Sequence, residues 1–288
     1  MKSAVPKIMS SHSSHHCQSL SLTRCIEDFS LANCTLAEHQ RRVIGTLGLS
    51  VHPHAWLNAA EVANFLTSGA VTMVDAAANA LVWHGAAPDT NNTFIATASF
   101  VICYPWDLLR ANEQLVAALT GNSIAGSVHP AAVIEGVLHL GAGTRILPGV
   151  FIEGNVVIGA NCKIGPNCYI RGNTSIGDGC HIGQAVEIKN CLIFGHTNVG
   201  HLSYVGDSVL GENVNLGAGT TTSNLRHDGT THRSMINGEL IDTGRRKFGT
   251  IIGDGVHTGI NTSIYPGRKL WPGTHTRPGE IVQQDLEI

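Results

Sequence analysis

The chain has 288 residues, of which 14% are charged and 5% aromatic, with a formal net charge of −3. So slight an acidic balance gives no electrostatic reason for nucleic acid or an anionic membrane as partner, and no apolar run is long enough to span a bilayer. Cys17, Cys25, Cys34 and Cys103 show no CxxC spacing and no secretory segment precedes them, so a reducing cytoplasm is expected.

Residues 1–18 carry a polar tract, Ser10-Ser11-His12-Ser13-Ser14-His15-His16-Cys17, whose spacing fixes no metal geometry and predicts a disordered terminus. Residues 19–121 read as a small α/β region. Thr35 caps a predicted helix through Glu38 to Ile44 with Gly45 just past its end, and Asn58 caps a second through Leu66. Val71–Val74 and Leu81–Trp83 predict a hairpin, Asn92–Cys103 contains an apolar strand, and Trp106–Leu119 predicts an amphipathic helix after Pro105. The region contains neither G-x-x-x-x-G-K-[ST] nor G-x-G-x-x-G after a strand, so no local motif points to nucleotide binding.

From 122 to 288 a different rule operates. An aliphatic residue returns every sixth position from Val128 through Ile134, Leu140, Ile146, Ile152, Ile158, Ile164, Ile170, Ile176, Ile182 and Ile188. Helices repeat near 3.6 and strands at 2, so the unit is a short strand plus a turn, the hexapeptide signature of a parallel β-helix. Two places before each aliphatic stand Thr144, Val150, Val156, Cys162, Cys168, Thr174, Cys180 and Val186, compact enough for a narrow interior. These cysteines therefore read as core residues. The beat resumes at Ile252, Thr258, Ile264, Leu270, Thr276 and Val282, with an inserted loop at 223–249 between. Such a loop leaves the stacked coils intact and is where function is expected.

Informative residues are those the coil does not need. Arg171 and Lys189 stand eighteen residues apart in equivalent corner slots, so three hexapeptides per turn would stack two cations on one edge. A phosphate or carboxylate site and a solvated pair of surface cations both fit that spacing. His201 lies near Glu187, Tyr204, Asn215 and Asn224, and a neutral imidazole suits proton removal near pH 7.

Four segments in order, Ile170-Arg171-Gly172-Asn173, Val186-Glu187-Ile188-Lys189, Gly200 to Asp207 and Asn213 to Thr220, resemble the acetyltransferase domain of the bifunctional glucosamine-1-phosphate acetyltransferase/N-acetylglucosamine-1-phosphate uridylyltransferase family. Asp242-Thr243-Gly244-Arg245-Arg246-Lys247 through Asn261 is similar to its archaeal-type sugar-phosphate branch. The resemblance implies a left-handed β-helix, a homotrimer with sites between neighbouring prisms, and acetyl-CoA as co-substrate with no metal required for acetyl transfer. It implies that Arg171 and Lys189 hold the sugar phosphate, that His201 is the general base with Glu187 beside it, and that Tyr204 and Asn215 bind the sugar. Ala218 and Asn224 would face acetyl-CoA. Arg245, Arg246 and Lys247 either meet its phosphates or belong to a solvated loop.

The chain departs from that pattern in three ways. The Gly-rich loop of the uridylyltransferase domain is absent, while Ser99 to Leu109 looks like the segment joining the two domains in some relatives. Residues 19–121 are therefore read as a shortened remnant and nucleotidylyl transfer as lost. Ile260 stands at a CoA-contacting serine position, and a family lysine is replaced around His232 and Arg233. The expected activity is N-acetylation of a hexosamine 1-phosphate in nucleotide-sugar precursor synthesis, with glucosamine 1-phosphate the first choice. Two rivals stand beside it: a non-catalytic scaffold or regulatory subunit, and a γ-class carbonic anhydrase-like zinc site using His196 and His201, whose third ligand would fall near Ala160.

Overall fold

The computed structural model describes residues 16–287, which divide into two compact units. The smaller comprises residues 24–29 and 34–104; the larger comprises 16–23, 30–33 and the chain from Pro105 onward. The division expected near residue 122 thus falls between 104 and 105, because the helix Pro105–Ala117 buries Trp106, Leu108, Leu109 and Val116 and groups with the coils. Of the Ser/His tract, Ser10–His15 lie outside the described residues. His16 and the residues after it join the larger unit, where Thr23 Oγ1 donates to Asp254 Oδ2 at 2.6 Å.

In the smaller unit local chemistry sets the helix ends. Thr35 and Glu38 form a reciprocal capping box for Leu36–Ile44, and Gly45 ends it at φ 58°, where a left-handed backbone suits glycine. Asn58 caps Ala59–Ser68. Thr72–Val74 and Ala80–Trp83 form the hairpin, whereas the stretch Asn92–Cys103 is broken into Thr93–Ile95 and Phe100–Val101. The break is organised by Glu61, whose carboxylate accepts from the backbone N–H groups of Thr97, Ala98 and Ser99 at 2.7 to 2.9 Å and from both hydroxyls. Gln40 similarly donates to three carbonyls, those of His52, Pro53 and Ala55.

The larger unit is a parallel β-helix with sheets of eight, eight and six strands. One, the helix-covered sheet, runs from Ser123–Ile124 to Lys269–Leu270 and carries Pro105–Ala117 on its outer face, with Ser175 Oγ donating to Asn112 Oδ1 at 2.5 Å. The second runs from Val133–Glu135 to Ile281–Val282 and holds both cations, so we call it the cation sheet. The third, the histidine sheet, runs from Ser127–Val128 to Asn215–Leu216. Ile134, Ile152, Ile170 and Ile188 stack directly on one another, eighteen residues per coil. After Ile188 the next coil loses one residue, so Ile188 stacks on Val205 and Ile182 on Val199, which is why the strict period stops there.

The compact positions are buried as the repeat predicts, Thr144 to Val186 being at most 2% exposed. Cys191 joins Cys162, Cys168 and Cys180 inside, at the shortened corner. Burial pushes the thiols of Cys168 and Cys191 up to about 12. Residues 223–249 leave the coil and fold into the hairpin Arg233–Ile236 with Glu239–Asp242, and the coil resumes with Ile252 stacked on Leu210. Among the described residues no helix is long and apolar enough to cross a membrane.

Glu61 supplies a pH test. Burial opposes its charge, but the donors of Ala98, Thr97 and Ser99 outweigh that and hold its carboxyl below the ordinary value. A depressed folded value stabilises fully above the unfolded value of about 4.3 and is lost as pH falls through the folded one. Thermal unfolding of the protein and of Glu61→Gln should therefore differ at neutral pH and converge below about pH 4. A gap that stayed constant on acidification would show that the carboxylate charge contributes nothing.

Candidate functional site

Arg171 and Lys189 stack in register on adjacent coils of the cation sheet, because equal eighteen-residue coils place like slots on one edge. Neither is bare. Arg171 lies over the Tyr169 ring at 5.3 Å, its Nη2 meets Glu187 Oε1 at 2.7 Å, and its Nε donates to the same oxygen at 2.9 Å. That pair is about one-third exposed on both sides, the regime in which an ion pair is worth about 0–1 kcal/mol and opens readily. Lys189 is different: its Nζ meets Asp207 Oδ2 at 2.8 Å with side chains only 14% and 4% exposed.

One coil on, Tyr204 stacks on Glu187. Burial, reinforced by the Asp207 and Glu187 carboxylates, pushes its phenol up, so it is a neutral hydroxyl at physiological pH. Asn224 Nδ2 donates to the Tyr204 oxygen at 3.0 Å and to Asp207 Oδ2 at 2.5 Å. Gly206 makes this junction possible: a Cβ there would lie 2.5 Å from the Tyr204 oxygen and 2.7 Å from Asn224 Nδ2.

His201 ends the strand Asn198–His201 of the histidine sheet, aligned with Gln184 and exposed. Leu202, at φ 52°, then turns the chain onto the cation sheet, so His201 and Tyr204 flank one corner. The His201 carbonyl accepts from Gly219 N at 3.2 Å, which sets the Ala218 backbone on the next coil beside it. Burial, then the charges of Lys163 and His201, lowers the neighbouring His181 imidazole. Asn215 is exposed on the same sheet, stacked on Asn198 and bridged to His257. Glu187 faces Arg171 on the cation sheet rather than sharing a strand or sheet with His201.

The cations at 245–247 are not one cluster. Arg245 is committed to Glu113 of the helix Pro105–Ala117, at 2.5 and 3.1 Å. Arg246 donates through Nε to the Gly229 carbonyl at 3.0 Å, and the Lys247 backbone bridges to Leu225; both side chains are exposed. His232 is buried with Nε2 3.0 Å from the Asn224 carbonyl, and burial lowers its pKa. Ile260 is exposed. A cleft of about 510 Å³ lies at the base of the insertion, lined by Ser223, Leu225, Arg226, Asp228, Tyr265 and Pro266 among others. His196 occupies a corner at φ 58°, and among the described residues no three His, Cys, Asp or Glu side chains gather as a metal-binding group.

Sequence reasoning missed Asp207 and Glu113. Asp207 stood in the quoted motif, but its three hydrogen bonds depend on which way a corner residue turns. Glu113 lies 77 residues from its Asn190 partner, a distance no local pattern reports.

A β-helix that carries polar residues on adjacent coils, with Asn224 of the extruded loop hydrogen-bonded to Tyr204 and Asp207, defines a class of coil-borne site. Over residues 152–268 the chain matches the family model described as the GMPPB C-terminal domain. It is also related in sequence to archaeal bifunctional sugar-phosphate nucleotidylyltransferase/acetyltransferases. It is 38% identical over 183 residues to the bifunctional protein GlmU of Methanococcus aeolicus, covering 64% of this chain and 44% of that protein. It is 44% identical over 75 residues to the bifunctional sugar-1-phosphate nucleotidylyltransferase/acetyltransferase of Sulfurisphaera tokodaii, covering 26% and 19%. The chain thus spans less than half the length of these relatives. Among solved structures, the polysialic acid O-acetyltransferase OatWY is 20% identical with a TM-score of 0.28, over 58% of this chain and 77% of that one.

The space at Gly206 can be tested directly. Gly206→Ala should keep the coil folded at a cost of about 1–3 kcal/mol, as for overpacking generally, and should separate Tyr204 from Asn224 beyond hydrogen-bond range. A variant structure retaining that bond would show that room for a methyl group exists.

Proposed function

We propose that this chain is an acetyl-CoA-dependent N-acetyltransferase acting on a hexosamine 1-phosphate, with glucosamine 1-phosphate the preferred acceptor. The observation that carries the reading is the register-stacked pair Arg171 and Lys189 on the same sheet as Tyr204, whose end of the strand adjoins the corner bearing His201. The Sulfurisphaera tokodaii relative, named for sugar-1-phosphate nucleotidylyl and acetyl transfer, supports it.

In this reading the acceptor phosphate displaces Glu187 from Arg171, a contact about one-third exposed that yields at little cost, and accepts a hydrogen bond from Lys189. The Tyr204 hydroxyl and Asn215 amide meet the sugar. The amine nitrogen attacks the thioester carbonyl carbon while His201 removes its proton, the carbon–sulfur bond breaks, and the thiolate leaves as CoA thiol with a proton. Products are the N-acetylated sugar phosphate and CoA. Position and charge supply the rate, with two substrates in line and a base at hand. The cleft at the base of the insertion, beside Asn224 and with Tyr265 and Leu225 as apolar wall, suits the acetyl-CoA side together with Ala218 and the exposed Arg246 and Lys247.

A homotrimer belongs to the same proposal. The helix-covered sheet is occupied by the chain itself, leaving the cation and histidine sheets as the lateral faces on which neighbouring prisms would complete each site. Nucleotidylyl transfer is proposed to be lost, with residues 19–121 a shortened remnant.

Thiol release from acetyl-CoA is the test. With glucosamine 1-phosphate it should proceed faster than with galactosamine 1-phosphate and fall by at least about a hundredfold in His201→Ala, the usual weight of a general base. Near wild-type turnover in that variant would remove His201 from the role. Arg171→Ala should raise the sugar-phosphate KM about tenfold or more with smaller change in kcat, because a charge-assisted contact to phosphate is lost. An unchanged KM would refute the anion site.

A further inference from the structure

The corner at the end of each of these cation-sheet strands has a left-handed backbone, and this column is filled by Gly154, Gly172, Asn190 and Asp207, which follow Glu153, Arg171, Lys189 and Gly206. Gly172 has φ 71°, Asn190 52° and Asp207 50°. Glycine meets the backbone requirement at no steric cost and Asn or Asp tolerate it. The fold therefore explains the conformation at 207 but not a carboxylate there. A charge that is 4% exposed costs stability unless it is fully engaged.

It is fully engaged. Oδ2 of Asp207 accepts from Lys189 Nζ at 2.8 Å and from Asn224 Nδ2 at 2.5 Å, and Oδ1 accepts from Asn190 Nδ2 at 3.0 Å. Asn224 carries the effect on to the Tyr204 hydroxyl. Behind, Asn190 Nδ2 also meets Glu113 Oε1 at 2.6 Å, and Glu113 receives both terminal nitrogens of Arg245. The end of the insertion is tied to the same residue, Gly249 N donating to the Asp207 carbonyl at 2.9 Å.

We propose that Asp207 is a positioning residue of the acceptor site, fixing the Lys189 ammonium and the Tyr204 hydroxyl at once, and that Arg245 braces it through Glu113 and Asn190 rather than binding a CoA phosphate. The inference rests on the acceptor-site reading above. It makes the insertion a support for the sugar-phosphate side, whereas its sequence, Arg245-Arg246-Lys247, reads as either a contact to CoA phosphates or a solvated loop. It also gives Arg245 a distant effect that a direct ligand contact would not produce.

Asp207→Asn keeps the shape and the left-handed tolerance and removes the charge; Arg245→Gln removes the brace from a partly exposed loop. Steady-state kinetics of both and of the double variant decide the matter, with unfolding midpoints as the control for simple loss of structure. Asp207→Asn should raise the sugar-phosphate KM at least about tenfold, the equivalent of roughly 1.4 kcal/mol, and leave the acetyl-CoA KM within about twofold. Arg245→Gln should raise the same KM about threefold, and the double variant should not exceed Asp207→Asn appreciably, because coupled residues act as one unit. A sugar-phosphate KM that falls or stays unchanged in Asp207→Asn would mean the carboxylate only neutralises Lys189 and would overturn the proposal. A raised acetyl-CoA KM with unchanged sugar-phosphate KM in Arg245→Gln would overturn the brace. Should the wild-type protein release no thiol, calorimetry with glucosamine 1-phosphate and inorganic phosphate separates the two ideas. Binding by wild type that is lost in Asp207→Asn supports the positioning role while the transferase reading fails; wild-type binding of neither sinks both.

Discussion

Everything in the larger unit depends on one constraint, the coil-to-coil parallel hydrogen bonding that holds equivalent residues in register. A parallel ladder satisfies each backbone group from the coils above and below, so a slot on one coil lies over the same slot on the next. The interior is then a column of repeated side chains, and its width admits only compact residues beside the aliphatic ladder. The exterior becomes a set of columns as well. Arg171 beside Lys189 and Tyr204 over Glu187 are consequences of that stacking, whereas Arg171 reaches Tyr169 within a single strand.

Where the constraint is relaxed, chemistry gathers. The coils after Ile188 are shorter by a residue, and the insertion at 223–249 leaves through a corner, so the Asn224 side chain returns onto Tyr204 and Asp207. The rigid coils fix the separation of the cations. The irregular pieces supply the groups that set charge and hydrogen bonding around them. A weakly held pair, Arg171 with Glu187, and a buried one, Lys189 with Asp207, stand side by side, giving one contact able to open and one able to stay.

Much of this was legible in the residues. A period of six is intrinsic to the chain, and the capping box at Thr35 and Glu38 is local, so both could be read directly. The stacking of Arg171 on Lys189 followed from spacing alone. Pairing partners did not: Glu187 was expected beside His201, yet two side chains near in sequence can sit on different sheets of a prism, and Glu187 turns to Arg171. Arg245 reads in sequence as either a CoA-phosphate contact or part of a solvated loop, but its carboxylate partner comes from a helix 132 residues earlier. Long-range polar networks leave no periodic trace, since each member is a single residue with no repeat to announce it.

The interior sulfurs carry a further consequence. Cys162, Cys168, Cys180 and Cys191 occupy slots chosen by volume, and for Cys168 and Cys191 burial moves ionisation to about 12. Because the thiolate is the form that reacts with oxidants and electrophiles, these two atoms act as inert filler at neutral pH. Cys25, by contrast, is exposed. At these two slots the coil thus gains a side chain between alanine and valine in bulk without acquiring a reactive thiolate.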